Sequence, residues 1–285
     1  IQFETAKRTY EEADDALGLA ISKLCWDGPE DQLTLTQNTQ PAILTTSIAV
    51  FRVLRERGLT FDVVAGHSLG EWSALVAAGA LSLPEAVKLT HLRGQFMQEA
   101  VPVGIGSMAA IMGLSLDKLR EVCAKASAPG EPVEPANLNG GGQIVISGHT
   151  SAVDRAIPGA KAAGAKIAKK LSVSAPFHCS LMQPAQQRLS VAIADTVISA
   201  PSVPVVANVT AEPTSDPATI KDLLIKQVTA PVRWEESIQT IAALGVTRAY
   251  ELGSGAVLKG LVKRIAETID ITTIGEPHEV TAFTA

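Results

Sequence analysis

Apolar positions along the chain alternate between helical and strand spacing, and the alternation predicts an α/β protein. Phe3–Leu17 is dense in Glu, Asp, Lys and Ala and reads as a surface helix ending near Gly18. Residues 22–38 are polar and read as a loop. Thr39-Gln40-Pro41 reads as a helix start, because proline is tolerated in a first turn. Leu44, Ile48, Phe51 and Leu54 follow at helical spacing, and Gly58 closes that helix. Asp62-Val63-Val64-Ala65 reads as a short buried strand and Glu71–Gly79 as a helix. Ser82-Leu83-Pro84-Glu85 has capping-box spacing and opens a helix reaching about Ala100.

Val103-Gly104-Ile105-Gly106 marks a change of pattern. Strands are expected at Ser107–Gly113, Ala136–Asn139, Ile144–Ser147 and Ala165–Val173. Helices are expected at Leu116–Ala126 and at Ser151–Ala163, the second interrupted or ended by Pro158-Gly159. This β-α-β-β-α-β order is the ferredoxin-like unit. Gly140-Gly141-Gly142 reads as a hairpin turn rather than a phosphate cradle, since no helix or lysine follows at P-loop spacing. The chain returns at Ser174-Ala175-Pro176-Phe177-His178. Helices are then expected at Met182–Ser199, Ile220–Val228, Trp234–Leu244 and 256–268, and strands at Val203–Val209, Thr247–Leu252 and Ile271–Ile274. Residues 211–219 read as a Pro-rich loop and the last residues as frayed. Strands alternating with helices imply a mainly parallel sheet covered on both faces. The expected fold is therefore a large α/β-hydrolase-like domain, residues 1–102 and 174–285, with a small ferredoxin-like domain, 103–173, inserted into it.

Composition narrows the function. The 285 residues are 46% hydrophobic and 19% charged, enough for a sizeable core. A net charge of −5 argues against nucleic acid as the main partner. Cys25, Cys123 and Cys179 are scattered, with no metal spacing and no disulfide framework, which fits a reducing compartment such as the cytoplasm. No apolar run reaches membrane-spanning length. The first residue is Ile1 rather than Met, so the natural N-terminus is expected further upstream.

Candidate chemistry centres on Gly66-His67-Ser68-Leu69-Gly70, which lies between a strand and a helix as a nucleophile elbow does. The two glycines allow a tight turn, and Ser68 at its apex meets a helix N-terminus that favours developing negative charge. The plainer reading is a βα turn with a capping serine. A serine hydroxyl needs a base. His67 is turned away inside the elbow as a pocket wall, His91 reads as a surface residue, His149 ends a strand and His278 is in the tail. His178 remains the best base candidate; otherwise it is a hinge histidine satisfied by backbone. The acids between 68 and 178 fall mostly on surface helices, so a backbone carbonyl is the expected orienting group. Arg93 falls on an apolar stripe with Ala86, Leu89, Met97 and Ala100, with no carboxylate three or four residues away. A distant acid or a ligand carboxylate must answer it, and the residues alone leave both open.

Gly66-His67-Ser68-Leu69-Gly70-Glu71 resembles the signature of malonyl-CoA:acyl carrier protein transacylases and related synthase acyltransferase domains. Similar in order along nearly the whole chain are Thr39-Gln40-Pro41-Ala42, Arg93–Gln98, Asn137-Leu138-Asn139 with Gly142–Gly148, Phe177-His178, Asn208-Val209, Gln227 with Pro231–Trp234, and Glu251-Leu252-Gly253 with Gly255. The resemblance implies a free-standing, monomeric enzyme that takes malonyl from malonyl-CoA through a malonyl-Ser68 ester to the phosphopantetheine thiol of acyl carrier protein. It would act in fatty acid or polyketide synthesis. On the same resemblance His178 is the base, the Gln227 main-chain carbonyl orients it, and the Leu69 N–H is half of an oxyanion hole. Arg93 takes the malonyl carboxylate, and Met97, Phe177, His67, Gln40 and Asn139 surround the acyl group. Phe177 goes with malonyl over methylmalonyl. No metal or cofactor is implied beyond the substrate-borne CoA and phosphopantetheine. The family pattern begins with a strand and a Gly-Gln-Gly-rich turn whose glutamine gives the second oxyanion N–H, and this sequence starts at a point corresponding to the helix after it. Two other readings remain at this stage: a hydrolase clearing acyl carrier proteins, which Arg93 disfavours, and a non-catalytic carrier-docking domain, which the retained Ser68, His178 and Arg93 disfavour.

Overall fold

The structure, a computed structural model, describes residues 2–173 and 175–284; Ser174, in the return segment, lies outside the described residues. The first helical layer is α1 (Glu4–Leu17), α2 (Ile21–Asp27), α3 (Glu30–Leu33) and α4 (Thr36–Glu56). The elbow follows β1 (Val64–Ala65) and leads into α5 (Leu69–Ala77) and α6 (Leu83–Glu99). Next come β2 (Gly106–Met112), α7 (Leu116–Ala126), β3 (Val133–Gly140), β4 (Gln143–His149), α8 (Thr150–Ala162) and β5 (Ile167–Lys170). A 3-10 turn at Ser180–Met182 precedes α9 (Gln183–Ala192), β6 (Val205–Val206), β7 (Pro213–Thr214), α10 (Pro217–Lys226) and α11 (Trp234–Ala243). The chain ends with β8 (Arg248–Leu252), α12 (Val257–Ile265), β9 (Asp270–Ile274) and α13 (Pro277–Ala282).

The result is a mixed α/β fold. β2–β5 form one antiparallel sheet in the order β3-β4-β2-β5. Its alternate residues Ala109, Ile111, Ile144 and Ile146 pack against α7 and α8. The opposite face carries Met108, Ala136 and Val145 and meets Phe177. The single mainly parallel sheet expected from the sequence is instead two separate small sheets among the described residues, β1-β6-β7 and β8-β9. β1 pairs parallel with β6, and β8 pairs parallel with β9. Their side chains share one cluster, Ala65 and Val206 with Ala249 and Ile271, joined by Val63 just before β1. Strand–helix alternation reports how strands are connected, not whether neighbouring ladders join.

Several boundaries differ from expectation. The loop expected over 22–38 holds α2, α3 and the start of α4, so Pro41 lies inside a helix rather than at its first turn. Proline leaves the carbonyl four residues back without its helical donor, and His91 Nδ1 fills that vacancy on Gln37 O at 2.9 Å. His91 is thus a part-buried strut between α6 and α4, not a surface residue. Close approach of these helices needs Gly94, where a Cβ would lie 2.5 Å from Thr36 O. Pro158 neither ends nor interrupts α8, because it and Asp154 sit on the solvent side where the freed carbonyl meets water. The helix expected over 182–199 stops at Ala192, the strand expected over 203–209 shortens to Val205–Val206, and the 211–219 loop contains β7. The tail is helical, held by a reciprocal Glu276–Glu279 capping box.

Candidate active site

Ser68 joins β1 to α5 with φ 52° and ψ −105°, a left-handed conformation costly for a side-chain-bearing residue. Gly66 is dictated by space, since a Cβ there would collide with the Gly70 carbonyl; Gly70 itself faces open space. Asn208 clasps the turn from outside, accepting Ser68 N–H on Oδ1 at 2.7 Å and donating Nδ2 to Gly66 O at 2.7 Å. Gln227 Nε2 donates to Ser68 O at 3.1 Å. Leu69 is the first residue of α5, so its N–H has no helical carbonyl to meet.

His178 Nε2 lies 2.7 Å from Ser68 Oγ, and Nδ1 lies 2.8 Å from the Gln227 main-chain oxygen. A carbonyl only accepts, so Nδ1 carries the proton and Nε2 presents its lone pair to the serine. Gln227 caps α10, where end carbonyls are left free for such a donor. Burial pushes the imidazole down to about 3, the Arg93 charge adds to this, and the bond to Gln227 opposes it. His178 is therefore neutral at physiological pH.

Arg93 is 2% exposed. Its Nη1 donates to Gln40 Oε1 at 2.6 Å, and its Nη2 to Ser68 Oγ at 3.0 Å and Gln227 Oε1 at 3.1 Å. All three acceptors are neutral, and Nε has no partner among the described residues. Burial lowers its pKa to about 10, countered by the charge of Glu71. Met97 is buried with its sulfur 4.0 Å from Gln40 Nε2, and Phe177 is half-buried beside the site helices. His67 Nε2 pairs with Asn139 Oδ1 at 2.9 Å, and its ring stacks obliquely on Trp234 at 5.5 Å. This joins β3 to the elbow, aided by Val232 hydrogen bonds to the β3 backbone. The structure thus brings together Ser68, His178, Gln227, Arg93 and Gln40 directly, whereas His67 and Asn139 satisfy each other.

Sequence reasoning assigned no role to Glu71 or Asn208. Glu71 is 3% exposed and lies on the face of α5 that buries Trp72, Ala74 and Leu75. A carboxylate on an apolar stripe was the available signal, of the same kind that singled out Arg93. Asn208 follows a two-residue strand and carried no such signal.

A family model described as an acyl transferase domain matches residues 3–273. The chain belongs to that acyltransferase family. The acyltransferase is 47% identical over 281 residues to a malonyl CoA-acyl carrier protein transacylase of Salmonella typhimurium, covering 98% of this chain and 91% of the relative. It superposes on an acyl carrier protein S-malonyltransferase of Vibrio cholerae with a TM-score of 0.95 and 45% identity, covering 99% and 92% of the two chains. A malonyl-transacylase solved in complex with a type II PKS acyl-carrier protein matches with a TM-score of 0.94 and 42% identity, covering 98% and 90%. Among the described residues of the acyltransferase, no helix is long and apolar enough to cross a membrane.

Proposed function

We propose that this acyltransferase moves a malonyl group from malonyl-CoA to the phosphopantetheine thiol of an acyl carrier protein. The observation that carries the reading is Arg93: a buried guanidinium with only neutral acceptors, an unpaired Nε, and Nη2 3.0 Å from the Ser68 hydroxyl. A buried cation needs a counter-charge, and Glu71, whose own charged form burial disfavours, answers it only in part and without a hydrogen bond to the guanidinium, which leaves a call for further negative charge. A carboxylate one carbon beyond the attacked carbonyl supplies that charge beside the nucleophile, and a planar fork binds it through two parallel bonds.

In the first half-reaction, Ser68 Oγ bonds to the thioester carbon while its proton passes to His178 Nε2. The C–S bond then breaks, and the CoA sulfur takes the proton from His178. In the second half, the pantetheine thiol gives its proton to His178, its sulfur bonds to the ester carbon, and the C–O bond to Ser68 breaks as Oγ takes the proton back from His178. The Leu69 N–H faces the oxyanion, and the α5 N-terminus adds its dipole. The oxyanion and the malonyl carboxylate offset the imidazolium that forms beside Arg93.

The same reading places nucleophile and base on a large α/β-hydrolase-like domain, 1–102 and 174–285, with a ferredoxin-like domain over 103–173. It describes a cytoplasmic monomer that uses no metal or organic cofactor of its own and needs neither nucleic acid nor membrane. Met97 and Phe177 shape the acyl pocket, with His67, Asn139 and Gln40 around it. Intact-protein mass spectrometry after mixing with malonyl-CoA tests it. A malonyl adduct that disappears on adding holo carrier protein is expected; an adduct that persists, or is released only as free malonate, would contradict it.

A further inference from the structure

The hydrogen bonds that hold the elbow converge on a carboxylate that the transfer chemistry leaves without a task. Glu71 Oε2 accepts from Asn208 N–H at 3.0 Å and from Gln227 Nε2 at 2.7 Å. Asn208 is the residue that clasps both ends of the Ser68 turn, and Gln227 is the residue that touches Ser68 O, Arg93 and His178. A side-chain amide has one donor end and one acceptor end. With an oxygen of Glu71 and the Ser68 carbonyl on one side, Gln227 must turn its NH₂ there and its Oε1 to Arg93. The reverse orientation would set NH₂ against the guanidinium and oxygen against two oxygens.

We infer that Glu71 is a positioning residue. Through Asn208 it holds the Ser68 backbone in its left-handed turn, and through Gln227 it aims the Arg93 fork and the His178 ring at Ser68 Oγ. The inference rests on the malonyl-transfer reading above. Burial raises the Glu71 carboxyl to about 7, against the hydrogen bonds and the Arg93 charge that lower it. The site thus keeps an acid whose charged form it disfavours, which fits a group retained for its geometry. Both contacts fall on one oxygen, so a neutral amide at position 71 can replace it.

Glu71→Gln and Glu71→Asp separate geometry from charge. Each is checked for folding by thermal unfolding, then loaded from malonyl-CoA or acetyl-CoA and followed by intact mass. E71Q keeps the acceptor and is expected to load at close to the wild-type rate, with the wild-type malonyl-to-acetyl ratio. E71D keeps the charge but withdraws the oxygen by one methylene. It is expected to load malonyl about 10- to 100-fold more slowly, with a lowered ratio, because the reacting groups are displaced. The inference is overturned if E71D loads like the wild type, if it slows without changing the ratio, or if E71Q falls as far as E71D. It is also overturned if either variant fails to fold, since Glu71 would then be a structural residue. A wild-type protein that takes no malonyl at all sinks the transfer reading, and this inference with it.

Discussion

The antiparallel sheet and the elbow region solve opposite problems with the same chain. In the sheet, alternate residues of β2 and β4 pair Ala109 with Ile146 and Ile111 with Ile144 across the ladder, and Leu119 and Val153 close over them. Apart from Ser107, the side chains buried on that face are apolar, and their burial stabilises the fold directly. In the elbow region, Glu71, Arg93 and His178 are each at most 3% exposed, and Ser68 and His178 both hold left-handed backbone at φ 52° and 58°. Each of those features is locally unfavourable and persists only because a closed hydrogen-bond network fixes it. The first region gives stability that tolerates sequence change within its pattern; the second holds reactive groups in a geometry that tolerates little.

That contrast predicts effects of decreasing size. Ser68→Ala removes the nucleophile and is expected to abolish the covalent adduct, a loss of about 10⁴-fold or more, with thermal stability kept or raised as the strained turn relaxes. Residual adduct at another residue, located by peptide mapping, would break the assignment. Arg93→Ala is expected to slow malonyl loading by about 100-fold through loss of a charge-assisted fork, while acetyl loading changes far less. Ile146→Ala should lower stability by about 2–5 kcal/mol in denaturant unfolding. The fraction still folded should load malonyl at the wild-type rate; altered selectivity would mean the two regions are not separable.

The smallest effect is in the pH dependence of stability. Burial raises Glu71 from 4.5 to about 7. Between those values the folded protein holds a proton that the unfolded chain has released, so this contribution is full below 4.5 and is lost as pH rises through 7. His178 acts in the opposite sense. Its pKa falls from 6.5 to about 3, so its contribution is full above 6.5 and is lost as pH falls toward 3. The Tm of E71Q relative to wild type should therefore climb as pH is raised from about 5 to about 8, and that of His178→Gln should climb as pH is lowered over the same range. Curves that stay parallel would show that neither group titrates as its burial implies.

The two regions also differ in how far the sequence reveals them. Strand and helix periods in 106–170 predict each element of the antiparallel sheet, because one face of every element packs on a common core. Ser68, His178 and Arg93 are legible because each is an oddity in its local pattern: a serine between glycines, a histidine at a junction, a cation on an apolar stripe. The Glu71–Asn208–Gln227 network is not legible, since it joins residues 137 and 156 positions apart in sequence. Local signals misled where tertiary contacts compensate them. Pro41 marks a helix start only until His91 caps the carbonyl that it frees, and the polar run 22–38 reads as loop although Ile21 and Leu24 anchor α2 in the core.

The central claim is that Arg93 selects a carboxylate-bearing acyl group at Ser68. The direct test is competition: wild-type protein and R93A each mixed briefly with equimolar malonyl-CoA and acetyl-CoA, and the two adduct masses compared in one spectrum. The account predicts a malonyl adduct almost alone in the wild type and a ratio shifted toward acetyl in R93A. An unchanged malonyl preference in R93A would contradict it.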